Sequence, residues 1–120
     1  MSESIMLNKS KEFAVDIVNI CKSVKSVHKE SVLTNQLLRC GTSVGANIFE
    51  SKYAQSTADF ISKMQIALKE CYESEYWLEL LFKTDYINEE DYKKLNDECG
   101  NIRRMLISSI NTSRQKGYNQ

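Results

Sequence analysis

Four glutamates recur within ten residues and are the side chains best suited to chemistry: Glu70, Glu73, Glu75 and Glu79. Carboxylates on facing helices can hold two metal ions, but such sites also need Glu-x-x-His motifs on two of the helices. The chain contains one histidine, His28, and a lysine stands three residues before it. The ligand count therefore excludes a carboxylate-bridged di-metal centre, and we expect no metal site.

The other residue types that support catalysis lack the partners that catalysis requires. His28 is the one candidate base with an ordinary pKa near neutrality, and it lies between Lys25 and Lys29 with no nucleophile arranged beside it. The segment 41–45, GTSVG, lacks the Gly-Lys-Ser/Thr ending of a phosphate-binding loop and follows no predicted strand. We therefore expect a protein with no enzymatic activity, no cofactor and no small-molecule substrate.

The cysteines form neither a metal motif nor a redox motif. Their separations match no C-x-x-C or zinc-finger spacing, and each cysteine falls in a different predicted helix. Free cysteine is among the most buried residue types. We predict that all four thiols are reduced and pack in the core: Cys21, Cys40, Cys71 and Cys99.

A row of polar residues is the most distinctive pattern in the second predicted helix. Arg39, Ser43 and Asn47 recur at intervals of four and Glu50 follows three residues later, so a helix places them on one face. A buried arginine requires a carboxylate partner. The row is therefore interpreted either as an intramolecular network, with Arg39 paired to a glutamate of a neighbouring helix, or as a polar seam between subunits.

Two glycines interrupt the same helix. Gly41 and Gly45 each cost about 1 kcal/mol relative to alanine in a helix interior. A helix that keeps both of them is expected to need close backbone approach, either inside one bundle or at a subunit interface.

The charges balance overall but not along the chain. Lys plus Arg and Asp plus Glu both number 16, which argues against a dedicated high-affinity nucleic-acid binder. No acidic residue follows Glu98, whereas four cations do. These cations are interpreted either as complements of a helix dipole or as candidate nucleic-acid contacts: Arg103, Arg104, Arg114 and Lys116.

Apolar spacing predicts four amphipathic helices that position these residues. The chain has no proline and four glycines, and no segment alternates as a strand does. Short connectors favour antiparallel neighbours. We predict an all-α, antiparallel up-down-up-down four-helix bundle that forms a single domain over 1–120, with helices at about 8–26, 31–53, 56–83 and 88–115.

No segment has the composition of a membrane or export signal. No apolar run reaches the 18 residues of a membrane span. The first residues, MSESIMLNKSKEF, include acids and no apolar stretch typical of a signal peptide. We expect a cytoplasmic protein with no membrane partner.

The segment 37–50, LLRCGTSVGANIFE, resembles the bacterial four-helix-bundle proteins known as the 23S rRNA intervening-sequence protein family, sometimes labelled ribosomal-protein-like. Segments 59–61, 66–70 and 75–79 extend the resemblance, which covers nearly the whole chain. The family often has alanine where this chain has Phe49. The resemblance implies homopentameric rings with no known enzymatic activity, and some members are encoded inside intervening sequences of 23S rRNA genes.

The resemblance also extends to a related branch, the accessory variability determinants of diversity-generating retroelements. That branch forms basic pentameric barrels that bind nucleic acid and a partner reverse transcriptase, whereas this chain is neutral. Five copies would nevertheless gather five sets of the cations that follow Glu98, and multivalency raises affinity. Two hypotheses follow: a non-enzymatic homo-oligomeric adaptor associated with RNA or a ribonucleoprotein, and a protein–protein scaffold without nucleic-acid binding.

Overall fold

The chain folds into four α-helices. The computed structural model describes residues 2–119 and the side chains of residues 5–116, so the two ends of the predicted domain 1–120, Met1 and Gln120, lie outside the described residues. No strand occurs between residues 2 and 119, and the all-α prediction is confirmed. Contacts join each helix to the next and α4 to α1, as in an up-down-up-down bundle. The helices are α1 (Ser2–His28), α2 (Val32–Ser51), α3 (Thr57–Lys83) and α4 (Glu89–Asn119).

The first and last helices, α1 and α4, are longer than the apolar spacing predicted. α1 begins at Ser2 instead of near residue 8, and Met6 and Leu7 of its early turns are buried. α4 continues to Asn119 instead of ending near residue 115, while α2 ends at Ser51 instead of near residue 53. Over the described part of the chain, no helix is long and apolar enough to cross a membrane.

A side chain caps the N-terminus of each of the last two helices, α3 and α4. The Oγ of Ser56 accepts a hydrogen bond from the backbone N–H of Asp59 at 3.0 Å, and Oδ1 of Asn88 accepts one from the N–H of Asp91 at 2.7 Å. These acceptors satisfy amide groups that have no partner inside the helix. The acidic first turn of α4 also lies at the positive end of the helix dipole.

The cysteines lie in the core, as predicted. All four are buried and free. Burial raises the pKa of both Cys21 and Cys40 to about 11. Because the thiolate is the reactive form of cysteine, these two groups are inert at neutral pH.

The helical period sets the inward face of α1. Phe13, Ile17, Cys21 and Val24 are buried, whereas Ile20 is only partly buried. At 100° per residue, position 21 is nearer than position 20 to the direction of position 17. The burial of Cys21 agrees with the core position predicted for this thiol.

α1 and α2 approach closely at the two glycines. A Cβ atom on Gly41 would lie 3.0 Å from both Cγ1 and Cγ2 of Ile17, and one on Gly45 would lie 3.1 Å from Oγ and 3.4 Å from the carbonyl oxygen of Ser10. Ser10 is buried, and its hydroxyl donates to the carbonyl of Leu7 at 2.7 Å. Both glycines thus face the neighbouring helix of the same chain.

α1 and α4 are the least closely packed of the four pairs of neighbouring helices, and we call the boundary between them the α1–α4 seam. Among the described residues, Oε2 of Glu98 is buried without a hydrogen-bond partner. Burial raises the pKa of Glu98 to about 7, and the nearby carboxylates of Asp16 and Glu12 act in the same direction. Lys94 opposes this shift and forms an ion pair with Asp16 at 3.6 Å.

We predict that Gly41→Leu lowers the free energy of unfolding by about 1–3 kcal/mol, because the added side chain must displace Ile17 from a filled core. Urea denaturation measures this change. Gly100→Ala is the matched control: its Cβ would lie 3.4 Å or more from flexible arginine side-chain ends, so it should stabilise the helix by about 0.5–1 kcal/mol. Wild-type stability in Gly41→Leu would contradict the close approach of α1 and α2.

We predict that stability falls as pH rises from about 4.5 to about 7. The pKa of Glu98 is raised from 4.5 to about 7 in the folded protein, so the folded state binds more protons in this window and loses that advantage as the pH increases. Partial solvent exposure limits the effect to about 1 kcal/mol. Glu98→Gln, which resembles the protonated acid, should remove this decline from a series of urea unfolding curves. An equal decline in the variant would refute the role of Glu98.

Candidate nucleic-acid interface

The charged members of the polar row lie at the boundary between α2 and α3 and form ion pairs within the chain. Arg39 pairs with Glu73 and also with Glu70 at 3.3 Å, and its side chain is 52% exposed. Glu50 pairs with Lys63 at 3.2 Å. The glutamate partners come from the neighbouring helix, as the intramolecular interpretation requires, but the row is not buried. Exposed pairs of this kind contribute little stability.

The uncharged members of the row bond to their own helix. The Oγ of Ser43 donates to the carbonyl of Arg39 at 2.7 Å, and Nδ2 of Asn47 donates to the carbonyl of Ser43 at 2.8 Å. Back-bonding of this kind satisfies a side chain locally. The row therefore presents neither a nucleophile next to a base nor a set of converging ligands.

The remaining glutamates of α3 also face cations. Glu75 accepts a hydrogen bond from Nε of Arg103 at 3.0 Å, and Glu79 pairs with Lys83 at 2.9 Å. Within the described residues, no group of three or more His, Cys, Asp or Glu side chains is placed to hold a metal ion. These carboxylates therefore form ion pairs between α3 and α4 and within α3.

Arg103 differs from the other cations of α4 because it contacts α3. Its guanidinium pairs with Glu75 and lies 5.6 Å from the ring centroid of Tyr72, a cation–π distance. Arg104, the next residue, donates from Nη2 to Oδ1 of Asn101 at 2.6 Å. The ends of the two arginine side chains approach each other beside Gly100, where an added Cβ would lie 3.4 Å from Nη1 of Arg104 and 3.5 Å from Nη2 of Arg103.

Three depressions with cations border the C-terminal half of α4. Arg104 and Lys116 line one of about 490 Å³ between α1 and α4, and Lys116 also lines one of about 450 Å³ together with Lys52. Arg114 borders a smaller one of about 140 Å³ between α3 and α4. Among the side chains of residues 5–116, no carboxylate lines any of the three and these cations form no ion pair.

The two larger depressions share Ser113 and Lys116 in their linings, and we name them together the α4 groove. Met105 and Phe60 give the groove apolar walls. Hydroxyl groups, which both donate and accept hydrogen bonds, line the rest of it: Ser51, Ser56, Thr57, Ser108, Ser109, Thr112 and Ser113.

Sequence reasoning identified Arg104 and Lys116 but missed Lys52 and the hydroxyl groups of the groove. One signal was available in α4. Ser108, Ser109, Thr112 and Ser113 recur at intervals of four in the sequence, which places them along one face together with Lys116.

Comparisons with known proteins identify the fold. No curated protein matches the chain. The family described as 23S rRNA-intervening sequence protein matches residues 2–108. A crystal structure of a protein with unknown function from the S23 ribosomal protein family of Bacteroides thetaiotaomicron VPI-5482 is 51% identical, with a TM-score of 0.91. The match covers 92% of this chain and 99% of that one. The chain therefore belongs to the family of 23S rRNA-intervening sequence proteins.

Proposed function

We propose that this protein is a non-enzymatic, homo-oligomeric, cytoplasmic adaptor that associates with RNA or a ribonucleoprotein. The observation that carries the proposal is the separation of charge. Four cations line depressions in which the described residues place no carboxylate, although the chain is neutral as a whole: Lys52, Arg104, Arg114 and Lys116. Cations that have no carboxylate partner can neutralise phosphates and release their counterions.

The side chains that could support catalysis are paired or buried, which supports a non-enzymatic role. The charged members of the polar row and the glutamates of α3 form ion pairs, and burial holds the pKa of Cys21 and Cys40 at about 11. Catalytic sites instead combine a nucleophile, a base and a charge stabiliser in one concave pocket. The described residues offer no such combination, and a binding role uses what they do offer.

An exposed apolar surface supports assembly with further copies of the chain. A depression of about 290 Å³ between α1 and α2 is lined mainly by small or apolar residues, including Ala14, Ala46 and Phe49, and the last of these is 45% exposed. Zero net charge leaves little repulsion between copies. A pentamer, as the family resemblance implies, would repeat the cations of α4 five times and raise affinity through multivalency.

The same apolar surface favours the second candidate function, a protein–protein scaffold without nucleic-acid binding. Exposed aromatic residues are common at protein interfaces, and this chain exposes Phe49, Tyr53, Tyr72 and Tyr76. The two functions differ in one measurable property, which is affinity for RNA at low salt.

We predict that the triple variant Arg104→Gln/Arg114→Gln/Lys116→Gln binds RNA at least tenfold more weakly than the wild type. Fluorescence anisotropy with a labelled RNA, repeated across a salt series, measures the affinity. The slope of log affinity against log salt should become shallower by about 2, since each lost phosphate contact removes about 0.7 for a single strand.

The matched control is Lys63→Gln/Lys83→Gln/Lys93→Gln, which removes three lysines that are already paired with glutamates. It changes the net charge by the same amount and should keep the wild-type affinity. Equal losses in the two variants would show a nonspecific charge effect and contradict the assignment to α4. A wild type that binds no RNA even at low salt would favour the scaffold.

We predict that Phe49→Asp reduces the mass of the assembly, because a carboxylate in the depression between α1 and α2 opposes burial against another copy. Multi-angle light scattering measures the mass, and circular dichroism checks that the helices remain. Val32→Asp replaces a 73% exposed side chain at the start of α2, where an acid is favourable, and should leave the mass unchanged. A monomeric wild type would refute the proposed assembly.

A further inference from the structure

We infer that the α4 groove binds a single-stranded segment of RNA, with phosphates at Lys52, Arg104 and Lys116 and bases against Met105 and Phe60. The inference rests on the proposed function and specifies where and in which form RNA is bound. Its basis is the combination in one concave surface of hydroxyl groups, apolar walls and cations that pair with no carboxylate of residues 5–116.

The length of the groove suits a strand of several nucleotides. Arg104 and Lys116 are twelve residues apart, which is about 18 Å along a helix. A stacked strand carries one phosphate per about 3.4 Å, so this distance corresponds to about five nucleotides. The second depression is also lined by Lys116 and extends the set of cations to Lys52, at the end of α2.

The shape and lining of the groove favour a single strand over a duplex. The cations line concave walls, and each depression has a volume typical of a pocket for a small molecule. A duplex presents a convex backbone and keeps the faces of its bases stacked inside. A single strand can place a base face against an apolar side chain while its phosphates contact cations, and Met105 and Phe60 supply such surfaces beside Arg104 and Lys116.

The charges of the α1–α4 seam limit the path of the strand. Towards the start of α4 the seam contains three acids and a lysine that pairs with one of them: Asp16, Asp91, Glu98 and Lys94. Towards its end it contains Arg104 and Lys116. Phosphates are repelled by the first stretch and attracted by the second. The strand is therefore confined to the C-terminal half of α4 and directed towards Lys52.

The decisive variant is Ser113→Trp, which fills the junction of the two depressions and changes no charge. We expect it to weaken binding of a fluorescein-labelled twelve-nucleotide uridine strand at least tenfold. Ser62→Trp, on an exposed position of α3, is the control and should bind like the wild type. Lys52→Gln should weaken binding severalfold and make the salt slope shallower by about 0.7, the contribution of one phosphate contact.

The wild type should bind the single strand at least tenfold more tightly than an RNA duplex of equal length. Equal affinity for both, or unchanged binding by Ser113→Trp with native thermal unfolding, would overturn the inference. In those cases RNA binding by the wild type would still support the proposed function. Loss of the assembly with retained RNA affinity in Ser113→Trp would identify the groove as a contact between copies and would also overturn the inference. A wild type that binds neither RNA would overturn both.

Discussion

The close approach of α1 and α2 is the constraint on which the rest of the bundle depends. Gly41 and Gly45 remove the side chains that would separate the two helices, and Ile17 and Ser10 occupy that space. This contact orients α2 about its own axis. Because residues on a helix have fixed angular positions, the row that begins at Arg39 must then face α3, where its glutamate partners lie.

The helices and their inner faces could be predicted from the sequence because they depend on local spacing. In α4, residues at three- and four-residue spacing are buried: Leu95, Cys99, Ile102 and Leu106. The caps of α3 and α4 are Ser56 and Asn88, which are residue types that favour this position. The errors concern exposure and extent. Spacing places the polar row on one face but does not show how far that face lies from the core, since this distance depends on the packing of α2 between its neighbours.

The candidate interface could be predicted only in part because it combines distant segments. Arg104 and Lys116 were visible as cations in a stretch without acids, but Lys52 reaches the same groove from the end of α2. Arg103 pairs with Glu75, which is 28 positions earlier in the chain. Arg104, the next residue, lines the groove instead, and two adjacent cations in the sequence do not show which of them has a carboxylate partner.

Zero net charge is a poor guide to the surface of this protein because the two signs occupy different places. The acids of α3 are matched by cations from α2, α3 and α4, and a second group of acids lies at the other end of the α1–α4 seam. The cations that line the α4 groove are outside both groups. An electrostatic field at a binding surface depends on such nearby charges, since salt screens those more than about 10 Å away. The net charge of the whole chain does not show where the positive and negative side chains lie, whereas a phosphate interacts with the charges near it. A neutral protein can therefore present a locally basic groove.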